Sequence, residues 1–143
     1  MRAILPLLAT LTLVACTTAD GAAGGSSPLV GTWRLVELQS NEDSIGVTRP
    51  RDPAQYELTL NADGSVAMKL DCNRGFGQWT SSGPSQISFG PMGMTRALCP
   101  EGSLDTRISQ QMEFVRTYVI QGNRLSLNMF ADGGNLVWER TAP

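Results

Sequence analysis

The sequence predicts a mainly β fold, a single small antiparallel meander of about eight strands closed as a barrel or nearly so, with one short helix. Three observations carry this prediction. Apolar and polar residues alternate along several short segments, as they do in half-buried strands. Turn-forming Gly, Asn, Asp and Pro separate these segments at short intervals. One segment, about 103–114, has helical spacing, and a parallel sheet would need several crossover helices.

The first part of the domain predicts a strand followed by a long loop. Residues 29–38 (LVGTWRLVEL) are rich in β-formers and apolar on both faces, which is typical of a strand that is covered on each side. Residues 39–53 are polar, contain Pro50 and Pro53, and follow neither the helical nor the strand period. We therefore predict a surface loop there, and loops of this length are often functional or mobile.

Residues 55–70 predict a β-hairpin. Tyr56, Leu58 and Leu60 alternate with polar residues, and Val66 to Leu70 resumes the same pattern. The turn between them, Asn61-Ala62-Asp63-Gly64, offers a glycine suited to positive φ.

The remaining segments predict further strands around the single helix. Residues 75–80 and 87–89 predict another hairpin about the turn at 81–84. Leu104, Ile108 and Met112 make one stripe at helical spacing, with Ser103 as the predicted N-cap and Asp105 in the first turn. The last three predicted strands are 118–121, 124–129 and 135–140, separated by Gly- and Asn- or Asp-containing turns.

The amino terminus predicts secretion. Residues 1–15 have a short basic start and an apolar stretch that is too short for a membrane-spanning helix, which is typical of a signal peptide. The run Leu13-Val14-Ala15-Cys16 resembles the bacterial lipobox, which implies lipid attachment at Cys16 and removal of the preceding residues. The alternative is an ordinary secretory peptide in which Cys16 is incidental. Residues 17–28 are small or polar and predict a flexible tether, and the absence of Asp after Cys16 resembles the sorting pattern for the outer membrane.

Composition excludes several functional classes. The chain contains no His, which excludes Ser-His-Asp and Cys-His catalysis and any His-ligated metal site. The formal net charge is −2 and the arginines are scattered, so the sequence shows no basic surface for nucleic acid. We predict no cofactor and no metal.

Two cysteines remain for the folded domain. Cys72 and Cys99 form an even pair in a predicted secreted protein, and a structural disulfide is the simplest interpretation. Two free thiols, or a redox or metal role, are the alternatives, although no C-x-x-C motif is present.

The segments around these cysteines resemble a known family. LDCNR at 70–74 with Gly77 and Trp79, together with GPMGMTRALCP at 90–100, is similar to the META domain of the HslJ family of bacterial lipoproteins and secreted proteins. The resemblance extends from about residue 29 to 140 and departs at Gly75, where the family usually has an aromatic residue. It implies a small antiparallel barrel-like domain in the cell envelope, linked to heat induction, antibiotic tolerance or motility, and it brings no agreed catalytic residues.

A disulfide would bring two polar pairs together, and these form the candidate binding patch: Asn73, Arg74, Thr95 and Arg96. The alternative is structural, with Asn73 in a turn conformation and the arginines bonded to carbonyls or to Asp71. Three other groups of residues also have a structural alternative to ligand binding. Core packing is the alternative for the methionines and tryptophans, which are Met92, Met94, Met112, Trp33, Trp79 and Trp138. Solvation at the surface is the alternative for the carboxylates, which are Asp63, Asp71, Glu101 and Asp105. A Ser65–Lys69 dyad is excluded because the two residues would stand about 13 Å apart along a strand.

The sequence leaves two functional classes. The first is a non-enzymatic envelope lipoprotein that supports stress tolerance by contacting or stabilising other envelope proteins. The second is a carrier that holds a small apolar ligand in the barrel interior or mouth. The expected location is the bacterial cell envelope, lipid-anchored at the outer membrane and facing the periplasm; the partner, the stress and the oligomeric state are open.

Overall fold

A computed structural model describes residues 27–42 and 44–142. This part of the chain contains ten strands, one α-helix and a short 3-10 turn at Pro53–Gln55. In chain order the elements are β1 (Gly31–Gln39), β2 (Val47–Thr48), β3 (Tyr56–Leu60), β4 (Ser65–Leu70), β5 (Asn73–Gly83), β6 (Gln86–Phe89), β7 (Gly93–Met94), α1 (Asp105–Met112), β8 (Val115–Gln121), β9 (Arg124–Met129) and β10 (Asn135–Arg140).

Eight of the strands form a closed antiparallel barrel. The order around the wall is β1-β3-β4-β5-β6-β8-β9-β10, and β10 pairs with β1 to close it. The two-residue strands β2 and β7 pair with β1 and β5. The predicted barrel of about eight strands with one short helix is confirmed, and closure leaves few exposed strand edges.

The barrel has two distinct ends. At one end, here called the amino-terminal end, β1 begins, Gly31 pairs with Leu60, and Arg140 donates to the carbonyls of Pro28 and Val30. At the other end β1 finishes beside Asn135, and the connection from β4 to β5 carries Cys72. We call the second end the disulfide end.

The predicted β3–β4 hairpin is confirmed. Every second residue of both strands is buried, and Gly64 adopts a φ of 85° at the turn. The Asp63 carboxylate accepts hydrogen bonds from the backbone N–H and the hydroxyl of Ser65, and these bonds lower the pKa of Asp63.

The observed strands differ from the predicted ones at four places, and tertiary contacts account for the differences. The predicted loop at 39–53 contains β2, because Val47 and Thr48 pair with the end of β1. Strand β5 begins at Asn73 and β8 at Val115, earlier than predicted, since each continues along its neighbours. The turn predicted at 81–84 lies later, with Gly83 paired to Gln86 and Ser85 at a φ of 64°.

The helix differs from its prediction at both termini. It spans Asp105–Met112 and not the predicted 103–114, and its N-cap is Leu104, not Ser103. At the amino-terminal end the reason is Tyr56, whose hydroxyl lies 3.4 Å from the Ser103 hydroxyl and accepts the Leu104 N–H at 3.0 Å. The predicted apolar stripe is correct, since Ile108 and Met112 are buried and Leu104 packs against the core.

Apolar side chains fill the barrel. Trp33 and Trp138 are fully buried and Trp79 is 8% exposed, as predicted for core residues. Two of these indoles donate hydrogen bonds, Trp33 to the Leu29 carbonyl and Trp79 to the Asn61 carbonyl. Among the described residues, no helix has the length and apolar character needed to cross a membrane.

Candidate functional site

A disulfide joins Cys72 to Cys99, with the two Cα atoms 5.4 Å apart. This confirms the prediction from the cysteine pair. Cys72 lies between β4 and β5, whereas Cys99 lies between β7 and α1. The bond therefore ties the barrel wall to the segment that leads into the helix.

Asn73 is the buried polar residue beside this disulfide, with 2% of its surface exposed. Its amide nitrogen donates to the Ala97 carbonyl at 3.0 Å and to the Asp105 carboxylate at 2.9 Å, and lies 3.3 Å from Cys99 Sγ. Its amide oxygen accepts from the Thr95 hydroxyl at 2.9 Å and the Ala97 N–H at 2.8 Å. Because every polar atom of this side chain is engaged, Asn73 organises the site and has no free group for a ligand.

Arg74 also has structural partners. Its guanidinium donates to the carbonyls of Asp71 and Asn73, at 2.9 and 2.8 Å. The structural alternative is correct for this residue, with one difference: Asp71, at a φ of 57°, takes the left-handed conformation that was considered for Asn73. A short carboxylate side chain tolerates that conformation better than most.

Thr95 and Arg96 have different roles, although they are adjacent. The Thr95 hydroxyl accepts from the Arg74 N–H and donates to Asn73, so it bridges the two segments. Arg96 is exposed and, within residues 27–42 and 44–142, has neither a hydrogen bond nor an ion pair from its side chain. The structure thus brings the four predicted residues together, and Arg96 is the member whose side chain is free to bind.

A cavity of about 330 Å³ lies beside this cluster, between the 92–97 segment and α1. Residues from both sides line it: Asn73, Met92, Met94, Thr95, Arg96, Ala97, Asp105, Thr106, Ser109, Gln110 and Glu113. Its volume is at the lower end of the range for ligand pockets. The contribution of α1 to this cavity was not predicted, although the polar positions opposite the stripe of Ile108 and Met112 indicate an exposed helix face.

Met92 and Met94 form the apolar part of the cavity, and two glycines make room for them. A Cβ on Gly75 would collide with Met94 Sδ, and a Cβ on Gly77 would meet Met92 Sδ at 2.6 Å. At Gly75, where the sequence departs from the family pattern, a methionine from β7 occupies the space that a side chain would take. Met112 lies in the core.

Asp105 is held in its charged form. Partial burial raises its pKa, but hydrogen bonds from Asn73, the Thr106 N–H and two nearby hydroxyls outweigh that effect and lower the pKa below the usual value for an aspartate. Asp105 therefore accepts hydrogen bonds as a carboxylate at neutral pH and joins the start of α1 to the disulfide segment.

The other polar groups that we considered are separate from this site. Lys69 donates to the Ala54 carbonyl and Ser65 to Asp63, so the two are engaged apart from each other. Glu101 accepts from Arg51 through its carbonyl. Within the described ranges, His, Cys, Asp and Glu form no group of three that could hold a metal ion. The predicted signal peptide, Cys16 and nearly all of the tether lie outside the described residues.

The comparison with family models decides the assignment. The META domain model matches residues 27–142, which include the barrel, the disulfide and the cavity. The chain belongs to the META domain family. The resemblance that the sequence analysis based on the two cysteine segments is thereby confirmed.

Solved structures share the fold of this META domain. A Burkholderia xenovorans protein determined by NMR is 20% identical with a TM-score of 0.67, and the match covers 97% of this chain and 100% of that one. A DUF4847 family protein from Bacteroides vulgatus is 15% identical with a TM-score of 0.56, covering 80% and 95%. None of the curated proteins searched matches the chain. At these identities the likeness concerns the fold alone.

Proposed function

We propose that this META domain protein is a non-enzymatic lipoprotein of the bacterial cell envelope, which supports stress tolerance by contacting or stabilising other envelope proteins. In this proposal Cys16 carries the lipid and anchors the chain in the outer membrane, with the domain in the periplasm. The disulfide end of the barrel is the contact surface. Neither nucleic acid nor a cofactor is a partner.

The distribution of exposed apolar residues is the main support. Five of the seven large apolar side chains exposed in the described part of the chain lie at the disulfide end: Ile45, Val47, Leu98, Phe114 and Phe130. Leu98, between Arg96 and the disulfide, is fully exposed, and the Phe130 N–H bonds to the Phe114 carbonyl. Exposed apolar residues gathered in one region are typical of protein-binding surfaces.

The position of this surface relative to the anchor also supports the proposal. Pro28 and Val30 are fixed to Arg140 at the amino-terminal end of the barrel. Strands β3 and β4 separate that end from Cys72 by about 15 Å, at 3.3 Å per residue. In this proposal the tether joins the domain at the end opposite the disulfide, so the anchor leaves the disulfide end accessible to periplasmic proteins.

Site-specific photo-crosslinking in cells tests this function. A photoreactive residue at position 96 is expected to capture a defined envelope protein, identified by mass spectrometry. Position 124 is the matched control, because Arg124 is also an exposed arginine but lies at the amino-terminal end. Equal capture from both positions, or none from position 96, contradicts the proposal. For the carrier alternative, the core side chains fill the barrel interior and leave the mouth as the place for a ligand.

A further inference from the structure

Strand β7 has an unpaired edge. It bonds to β5 on one side, where Gly93 pairs with Phe76 and the Thr95 N–H donates to the Arg74 carbonyl. Backbone groups of successive residues in a strand point to opposite sides. The N–H and C=O groups of Met94 and Arg96 therefore point away from β5, and within the described ranges no second strand pairs with β7. An unpaired edge is a template for another strand.

Helix α1 forms the opposite wall of a groove along this edge. The Asn73 amide fixes the start of the helix at Asp105 to Ala97, and Glu113 follows the last helical residue. The helix and the 92–97 segment thus run antiparallel, with the cavity between them. Eight helical residues span about 12 Å, which matches about four residues of an extended chain.

Opposite charges mark the two ends of this groove. Arg96 lies at the end near Asp105, because the Asn73 amide bonds to both Ala97 and Asp105. Glu113 lies at the end near Met92, because Met92 follows β6, Glu113 leads into β8, and these two strands pair antiparallel. In the described part of the chain, neither the Arg96 guanidinium nor the Glu113 carboxylate has a side-chain partner. Met92 and Met94 supply an apolar floor between them, and methionine adapts to varied apolar side chains.

We propose that the groove between β7 and α1 binds an extended peptide segment of a partner protein as an added strand. The segment carries an acidic side chain against Arg96, an apolar side chain over the methionines, and a basic side chain against Glu113, about four residues from the acidic one. Main-chain bonds to Met94 and Arg96 give the affinity, and the two charges set its direction. The inference rests on the proposed function, which makes another protein the partner.

Selection from a random octapeptide display library against the full chain tests the proposal, followed by titration of the selected synthetic peptides. Selected peptides are expected to contain the acidic, apolar and basic positions in this spacing. Their binding is expected to slow amide hydrogen exchange at Met94 and Arg96. N-methylation of every second residue is the sharpest test. In one register it removes the N–H groups that face β7 and lowers affinity at least thirtyfold, whereas in the other register affinity changes less than threefold.

Charge reversal supplies matched variants. Arg96→Glu is expected to weaken binding about tenfold, and a peptide with its acidic residue replaced by Lys is expected to restore it. Arg124 is another exposed arginine and lies at the amino-terminal end, so Arg124→Glu is expected to have no effect. Failure to select any peptide, equal sensitivity in both N-methyl registers, or a dimer that Arg96→Glu dissociates would overturn the proposal. If position 96 crosslinks to an envelope protein but no peptide is selected, the strand-addition proposal is rejected and the proposed function is not. If peptides bind but no envelope protein is captured in cells, the proposed function is rejected.

Discussion

Asn73→Ala is expected to lower the free energy of unfolding by about 3 kcal/mol. The change removes three hydrogen bonds to neutral groups, at about 1 kcal/mol each, and one to the Asp105 carboxylate, at about 1.5–3 kcal/mol. Ala97 is exposed and Asp105 half-buried, so water from the cavity replaces part of what is lost. For a domain of this size the melting temperature should fall by about 10 °C.

The loss should depend on pH. Hydrogen bonds, that from Asn73 foremost, keep the folded-state pKa of Asp105 below its unfolded value. Their stabilising effect is therefore complete above the unfolded pKa of about 4 and disappears as pH falls through the folded pKa. Because Asn73→Ala has already lost that bond, the stability difference between the two proteins should shrink as pH falls below about 4.

Urea unfolding followed by tryptophan fluorescence, with the disulfide intact, measures both effects. Asn128→Ala is the control, since Asn128 makes a single 3.2 Å hydrogen bond to Thr117 on the barrel wall and its loss should cost at most about 0.5 kcal/mol. A loss below 1 kcal/mol at pH 7 for Asn73→Ala, or a loss that is the same at every pH, would show that the Asn73 hydrogen bonds do not stabilise the domain in this way.

Three further outcomes follow from the covalent and backbone features. Replacing both Cys72 and Cys99 with Ser should lower the free energy of unfolding by about 3.5 kcal/mol, because the disulfide joins positions 27 residues apart. An unchanged midpoint in urea unfolding would contradict a structural role for the disulfide. Gly134→Ala should lower the free energy of unfolding by at least about 3 kcal/mol, because Gly134 has a φ of 96° and the new Cβ would collide with a backbone carbonyl. Gly122→Ala should lower it by about 1 kcal/mol, because Gly122 has a φ of 61° but open space around it. Equal losses for the two variants would show that the collision is relieved without cost. Cys16→Ser should abolish incorporation of radiolabelled palmitate in cells, and label in that variant would refute lipid attachment at Cys16.

Local residue patterns predicted most of the barrel. The β3–β4 hairpin follows from strict alternation around Asn61–Gly64, because a half-buried sheet rewards that pattern directly. The even pair of cysteines in the domain predicted the disulfide, and the disulfide predicted that residues 73–74 and 95–96 lie close together. The short strands β2 and β7 were not predicted, since two residues carry no period and form only because a neighbouring strand offers partners.

The candidate site was predicted in part. The residues near the cysteines were correctly predicted to lie at the site. The sequence did not distinguish Asn73, whose side chain makes five internal contacts, from Arg96, whose side chain is free. That distinction depends on Ala97 and Asp105, which are 24 and 32 positions away from Asn73 in the chain. Sequence patterns report on residues a few positions apart, whereas the hydrogen bonds of Asn73 form only when the barrel wall and the disulfide bring distant segments together.

The mainly β class, the faces of most strands, the single helix and the covalent pairing follow from the amino-acid sequence, because each of these depends on spacing between near neighbours or on residue chemistry. The tertiary structure alone decided that β10 returns to β1, that Met94 takes the space left by Gly75, and that α1 lies across from the unpaired edge of β7. Those features depend on which distant segments pack together, and packing is settled by the whole chain at once.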